Sequence, residues 1–448
     1  MRLINRNFTR LFYGQAVSVV GDFVFDTTLV LWIGTVLLPD NDYAPVAIAG
    51  VMIAVALGTL LVGPAAGVYV DRWNHRTTMM AADAARATLI LLLAVVALLP
   101  SDAITVGAKL ALIYTTVLLA TGVAQFFNPS RFALLSRLVP ETDRAKASGI
   151  LQATGYTAAI VGPPLAAPLL FTMGAPLALF LNALSFMASF LLVRSVRPAP
   201  VPNLSEGLDA SGTQEATLRR FISELRDGTR FVFGSPVLRM LLIAVAVAAF
   251  GAAALNELNV FFLPENLHAK ASLYGTLGMG EGLGAVAGAL AAGRLCRRFR
   301  DVHVFGVGLA LVGLGLVFYA RLETIWAAVP VIALIGVPLG AINAAMAPIL
   351  LPATPEAYIG RAISTFAPVQ QLASMMSAIG AGWLVSTAWR DFHHEMAGIS
   401  FGRIDTVFLL AGSVIMISGL FATVALRKAD PPAHASPTAD MAAQRVAP

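Results

Sequence analysis

Residues 147–193 contain no charged side chain. That run of 47 residues needs a nonaqueous environment yet is too long for one bilayer crossing. About 20 apolar residues suffice for a crossing, because a helix rises ~1.5 Å per residue through ~30 Å of hydrocarbon. Gly174-Ala175-Pro176 is the natural break into two spans. The pattern recurs along the chain, with spans over 11–38, 45–70, 77–99, 107–132, 146–170 and 175–194 in the first half. The second half offers 238–263, 271–294, 302–320, 324–352, 361–387 and 404–426. With 58% hydrophobic and 12% charged residues and one cysteine, soluble, disordered, collagen-like and disulfide-stapled classes are excluded. The expected fold is an all-α polytopic membrane protein of twelve transmembrane helices in two pseudo-symmetric six-helix bundles.

Loop charge gives an independent check on this count. With both termini in the cytoplasm, 24 of the 30 Lys and Arg residues fall on the inner side, and Lys109, Lys270, Arg321, Arg390 and Arg403 on the outer side. Arg86 lies within a span. This is the bias that the positive-inside rule describes, and an error of one span would scramble it. The net charge of +5 therefore reflects orientation and not nucleic-acid binding. The first apolar run exceeds a signal-peptide core and has no small-residue cleavage site after it, so an uncleaved first span is expected. A multi-pass protein of a bacterial-type inner (plasma) membrane is the expected setting.

Two halves follow from the spacing: a bundle over 1–194, a cytoplasmic linker over 195–237, a bundle over 238–426 and a tail over 427–448. In the linker, Leu218, Phe221, Ile222, Leu225 and Val232 share a helical face, with Arg219, Arg220, Arg226 and Arg230 on the remainder. A basic amphipathic helix of this kind suits an anionic leaflet. Gly21 with Asp26 in span 1 mirrors Gly251 with Asn256 in span 7, at the same spacing. Parallel repeats with a site between them near the midplane are a common plan for secondary transporters.

Gly67-x-x-x-Asp71-Arg72-x-x-x-Arg76, between spans 2 and 3, resembles the loop motif of the major facilitator superfamily. Phe126-Phe-Asn-Pro129-Ser-Arg131 with Leu138-Val-Pro140-Glu141 is similar to the span 4–5 region of its macrolide-efflux and enterobactin-exporter branch. Leu225-Arg-Asp-Gly228-Thr-Arg-Phe231-Val-Phe-Gly-Ser-Pro236 and Gly360-Arg361-Ala-Ile-Ser364 resemble the segments before spans 7 and 11. The resemblance implies alternating access by two rocking bundles. It also implies a gate in which Asp71, with Gly67, Arg72 and Arg76, lies near Gly360 and Arg361. A carboxylate there would meet a positive helix end and its unpaired N–H groups. There are departures. Ala166 and Ala167 stand where the antiporter motif of span 5 has paired glycines, and Leu118 stands four residues before Gly122 where related drug–proton antiporters carry an arginine.

An acid at the helix centre costs about 2.5–3.5 kcal/mol on insertion scales, so each one asks for a reason. Asp22 and Asp26 are four apart on one stripe of span 1. Like charges brought together compete for a proton, the chemistry that proton exchange uses. Glu281, between Gly280 and Gly282 in span 8, is a further proton or substrate candidate. Glu257, beside Asn256 and Asn259, reads as part of a polar outer mouth. Asp83 and Arg86, three apart in span 3, are expected to neutralise each other and are grouped with the gate. Gln125, Phe126, Phe127, Gln152, Tyr156 and Asn182 in the first half would furnish the cavity. Asn343, Gln370 and Gln371 would do so in the second.

There is no phosphate-binding Gly-Lys-Ser/Thr loop, no cluster at metal-ligand spacing and no nucleophile motif. No cofactor, metal or enzyme activity is expected. The sequence reads as a secondary active transporter, a proton-coupled exporter of an amphipathic small molecule of drug or siderophore type. The alternatives are an uptake or lipid-flipping carrier without proton antiport, or a non-transporting membrane sensor or assembly protein. Expected partners are that substrate, protons and the lipid bilayer, with no nucleic acid, and a monomer is expected.

Overall fold

The computed structural model describes residues 4–70, 73–100, 103–197, 226, 228–355, 359–390, 392–396 and 399–429. Apolar runs without internal charge become long helices, since in lipid only intra-helical bonds satisfy the backbone. The first six are α1 Arg6–Leu31, α2 Ala44–Val70, α3 His75–Ala97, α4 Val106–Leu138, α5 Glu141–Pro168 and α6 Ala175–Arg194. After the linker come α7 Pro236–Glu265, α8 Tyr274–Arg298, α9 Asp301–Tyr319, α10 Ile325–Leu350, α11 Ile359–Trp383 and α12 Arg403–Ala429. A short hairpin of β1 His394–Met396 and β2 Ile399–Phe401 precedes α12, with His394 opposite Phe401.

Side chains set the helix ends. Asn5, Asn74, Thr105 and Ser235 are N-caps, each accepting from a first-turn N–H. The charge-free run breaks at Gly174, whose φ of 84° suits a residue without Cβ. π-helical turns extend α1 over Trp32–Leu37, α5 over Leu169–Met173 and α11 over Leu384–Ala388. Ten of the described helices are long and apolar enough to cross a membrane. The two outside that set are α8 and α11. Glu281, Arg294, Arg297 and Arg298 lower the apolarity of α8, as Arg361, Gln370 and Gln371 lower that of α11. They complete two six-helix bundles.

The repeat is visible in the packing. Gly21 lies where α1 crosses α6, and a Cβ there would overlap the Ser185 hydroxyl. Gly251 lies where α7 crosses α12, and a Cβ there would overlap Ile415. One apolar core belongs to the second bundle, around Phe262, Tyr319 and Phe408. Another fills the end of the first bundle nearest the chain termini, around Phe8, Leu11 and Met79. A third joins Leu29, Trp32 and Ile48 of the first bundle to Val260 of α7, at the end far from the termini.

The bundles meet through α5 against α8 and α2 against α11. Close approaches lie toward the far end. Gly275 and Gly278 of α8 face Pro163 of α5, Gly282 faces Ile160, and Gly382 of α11 faces Pro45 and Ala49 of α2. Toward the terminal end of α5, by contrast, a Cβ at Gly149 or Gly155 would meet nothing within 4 Å. Ion pairs reinforce the far end. Asp42 of the first bundle binds Arg390 at 2.6 Å and Arg403 at 3.0 Å, and Arg403 also holds Glu265 at 2.7 Å.

Candidate functional site

The site begins on α1. That helix with its π-helical turns runs 32 residues, and Asp22 stands at its middle. Asp26 is one turn on. Asp22 keeps some accessible surface and Asp26 is exposed, although protein surrounds both. Enclosed yet accessible, the two side chains line space inside the protein. Asn256 of α7, the repeat partner of Asp26, is exposed as well.

Behind this pair lies a buried polar network. Arg86 of α3 binds Asp83 at 2.7 Å. The Ser189 hydroxyl of α6 donates to the other Asp83 oxygen at 2.7 Å. The Arg86 guanidinium sits 4.7 Å from the Phe127 ring centre and 4.2 Å from that of Phe186. Two aromatic faces and one carboxylate offset the guanidinium charge where water is absent, and its Nε–H has no partner among the described residues. Asp22 lies within electrostatic reach of both Arg86 and Asp83, and Asp26 within reach of Asp22. Asp26, Asp22, Arg86 and Asp83 thus form a charge series running from accessible space into the closed interior of the first bundle.

The second bundle supplies a smaller set. Glu281 of α8 is enclosed but partly accessible, and it acts electrostatically on Tyr274 two turns earlier. The Tyr319 hydroxyl donates to Asn259 Oδ1 at 2.6 Å, and the Tyr274 hydroxyl to the Asn256 carbonyl at 3.3 Å. Each bundle therefore presents a carboxylate to internal space.

Several sequence expectations change. Glu257 is not part of a wetted mouth: it is 2% exposed and both carboxyl oxygens lack a partner. A step of one residue turns a helix by about 100°, so exposed Asn256 and buried Glu257 face different surroundings. Phe127 and Asn182 are buried instead of facing a cavity. Phe127 is taken up by Arg86, and Asn182 accepts from Ser185 beside Gly21. Arg76 does not reach the other half; it donates to the Val193 carbonyl at 3.3 Å and to that of Arg194, closing the end of α6 in its own bundle. Asp83 and Arg86 do pair, but in the bundle interior and not at a gate. Asn343 and Gln370 are exposed, while Gln125, Phe126, Tyr156 and Gln371 are half-buried. Phe126 stacks on Trp73. Asp71, Arg72 and most of the linker lie outside the described residues, as do the side chains of Gly67, Gln152, Gly360 and Arg361.

Residue reading missed Ser189, Tyr274, Tyr319 and Arg131. Arg131, which falls within the span over 107–132, lies inside α4 and donates to Gln15 of α1 at 3.2 Å. A signal for Ser189 existed: Asn182, Ser185 and Ser189 form a polar stripe on α6.

The sequence profile of the Major Facilitator Superfamily matches residues 11–264 and 241–448. An uncharacterised MFS-type transporter of Bacillus subtilis (strain 168), YkuC, is 23% identical over 432 residues, covering 95% of this chain and 93% of the relative. A second from that organism, YfiS, is 21% identical over 426 residues, covering 94% and 93%. Among solved structures, the POT family transporter PepTSo superposes with a TM-score of 0.70 at 13% identity, over 95% of this chain and 98% of that one. The nucleoside transporter NupG gives 0.68 at 11% identity, over 94% and 99%. A bacterial homologue of the lysosomal transporter Spinster, inward-facing and unoccupied, gives 0.64 at 13%, over 95% of each chain.

Proposed function

The chain belongs to the major facilitator superfamily, and from that premise we propose that this multi-pass secondary transporter is a proton-coupled exporter of an amphipathic small molecule. The observation that carries the proton assignment is the Asp22–Asp26 pair, enclosed yet accessible at the middle of α1 and electrostatically tied to Arg86 and Asp83. A proton taken by this pair changes the charge facing Arg86, which links protonation to packing between α1, α3 and α6. Exposed Asn256, Asn343 and Gln370 would orient the substrate, within a pocket whose remaining walls are mostly apolar.

The positive-inside bias supports a cytoplasmic location for both termini. On that orientation the far end is outside. The close approaches and ion pairs there, with the open inner half of α5, support an inward-open state of a monomeric carrier. Asp71 would then close the inner side against the start of α11 in the opposite state. Export over uptake rests on the resemblance to the efflux branch.

The test uses inside-out vesicles with an acid-inside gradient reported by a pH-sensitive dye, and a panel of macrolides, catecholate siderophores and lysolipids. Wild type is expected to dissipate the gradient when its substrate is added, and Asp22→Asn/Asp26→Asn is not. Substrate accumulation with the gradient untouched would remove the proton role and favour facilitated flow or flipping.

A further inference from the structure

Among the described residues, Glu257 is a buried acid at the far-end seal with no hydrogen-bond partner on either oxygen. Its side chain stands where three helices meet. A Cβ on Gly382 of α11 would lie 2.7 Å from Glu257 Oε1, 3.1 Å from the Pro45 carbonyl and 3.3 Å from Ala49 Cβ, both on α2. The carboxyl of α7 is therefore roofed by α11 from its own bundle and by α2 from the other. It is 2% exposed, and neither oxygen has a hydrogen-bond partner.

The charges on the surrounding helices are all engaged or distant. No charged residue occurs on α2 from Ala44 to Val70. Arg361, the one charge on α11, and Arg239 of α7 are at the terminal end. Glu265 of α7 and Arg403 of α12 hold each other, and Asp405 of α12 holds Arg321. Arg427 and Lys428 close α12 at its terminal end. Glu281 of α8 acts on Tyr274, and Asp22 and Asp26 of α1 act within their own series. Among the described residues, no hydrogen bond or ion pair reaches the Glu257 carboxyl.

An ionised carboxylate in a dry, unpaired site costs several kcal/mol. We propose that Glu257 is the proton-binding site of the far-end gate: α2 and α11 close over it only when it carries a proton, and their separation admits water that takes the proton away. On opening, the carboxylic O–H bond breaks, the electron pair stays on the carboxylate and the proton leaves to the far-side solution. On closing, one proton returns from that side. The exchange is complete within the gate, so Glu257 makes closure sensitive to far-side pH without itself moving a net proton across the membrane. Its role is distinct from that of Asp22 and Asp26, although it rests on the alternating-access reading.

The experiment measures the gate directly and needs no substrate. In a Cys296→Ser background, spin labels at Leu98→Cys and Trp326→Cys, both exposed beside the far end of their bundles, report the distance between bundles by electron-spin dipolar coupling. One linked proton predicts a closed-to-open ratio that falls about tenfold per pH unit as pH rises. Glu257→Gln and Glu257→Met are expected to stay closed and lose this dependence, whereas Asp22→Asn/Asp26→Asn keeps it. A wild-type ratio indifferent to pH overturns the assignment, as does a slope that persists in both Glu257 variants. Failure of the vesicle assay would leave the result of this measurement unaffected.

Discussion

Asp83 and Arg86 illustrate what a buried pair does at the scale of a single residue. Their side chains are 0% and 8% exposed, so removing one partner strands the other in a low dielectric. Arg86→Met is expected to destabilise the protein by about 3–5 kcal/mol, read as a lower Tm in detergent. Adding Asp83→Leu removes the stranded charge and is expected to restore most of that loss. The double variant also tests coupling. If Arg86 tunes Asp22, the restored protein still folds but no longer dissipates an imposed proton gradient. Pairing at i, i+3 was legible in the sequence, because both partners are on one helix turn. Their setting was not: Phe127, Phe186 and Ser189 come from α4 and α6, and only packing brings them to the guanidinium. Glu257 shows the opposite failure. Its polar neighbours in sequence suggested a wet site, but neighbours in sequence point in different directions on a helix.

At the scale of helices, glycine spacing does the work that apolar side chains do in water. Lipid offers no hydrophobic drive for helix association, so small residues that let backbones approach are favoured. α8 and α10 use this reciprocally. A Cβ at Gly284 or Gly288 would overlap the carbonyls of Ala333 or Val337, and one at Gly336 or Gly340 would overlap those of Glu281 or Ala285. Gly288→Ala is therefore expected to cost about 1–3 kcal/mol through overpacking. Gly293→Ala, on the same helix with nothing within 4 Å of its Cβ position, is expected to leave thermal stability unchanged. A fluorescence thermal-shift series on the two variants checks the difference; equal Tm values would refute this account of the contact. Glycines such as Gly284 and Gly288 permit a close contact on α8 but do not name its partner, since they mark a narrow face without saying which helix fills it. The break at Gly174 was legible because that residue acts locally.

At the scale of the whole molecule, charge sums over many residues survive individual errors. Arg131 counts with the inner-side charges yet donates within its own bundle to Gln15, and the bias among 30 basic residues is hardly altered. The far-end ion pairs were illegible for the converse reason: they depend on a few residues from separate loops. Asp42 lies 361 positions from Arg403, and nothing local to either announces the other. Asp42 carries both named ion pairs from the first bundle to the second, whereas Arg403–Glu265 is internal to the second. Both pairs are partly exposed, and such pairs are worth about 0–1 kcal/mol each after screening. Asp42→Asn is thus expected to weaken closure by about 1 kcal/mol, a roughly fivefold shift toward the far-end-open population on the same spin-label pair. Glu265→Gln leaves both crossing pairs in place and is expected to produce no such shift. High salt should move wild type in the direction of Asp42→Asn, and should move the variant much less. If Glu265→Gln opened the gate as far as Asp42→Asn, the stabilisation would belong to the second bundle's own loop, and Asp42 would not be the residue that ties the two bundles together.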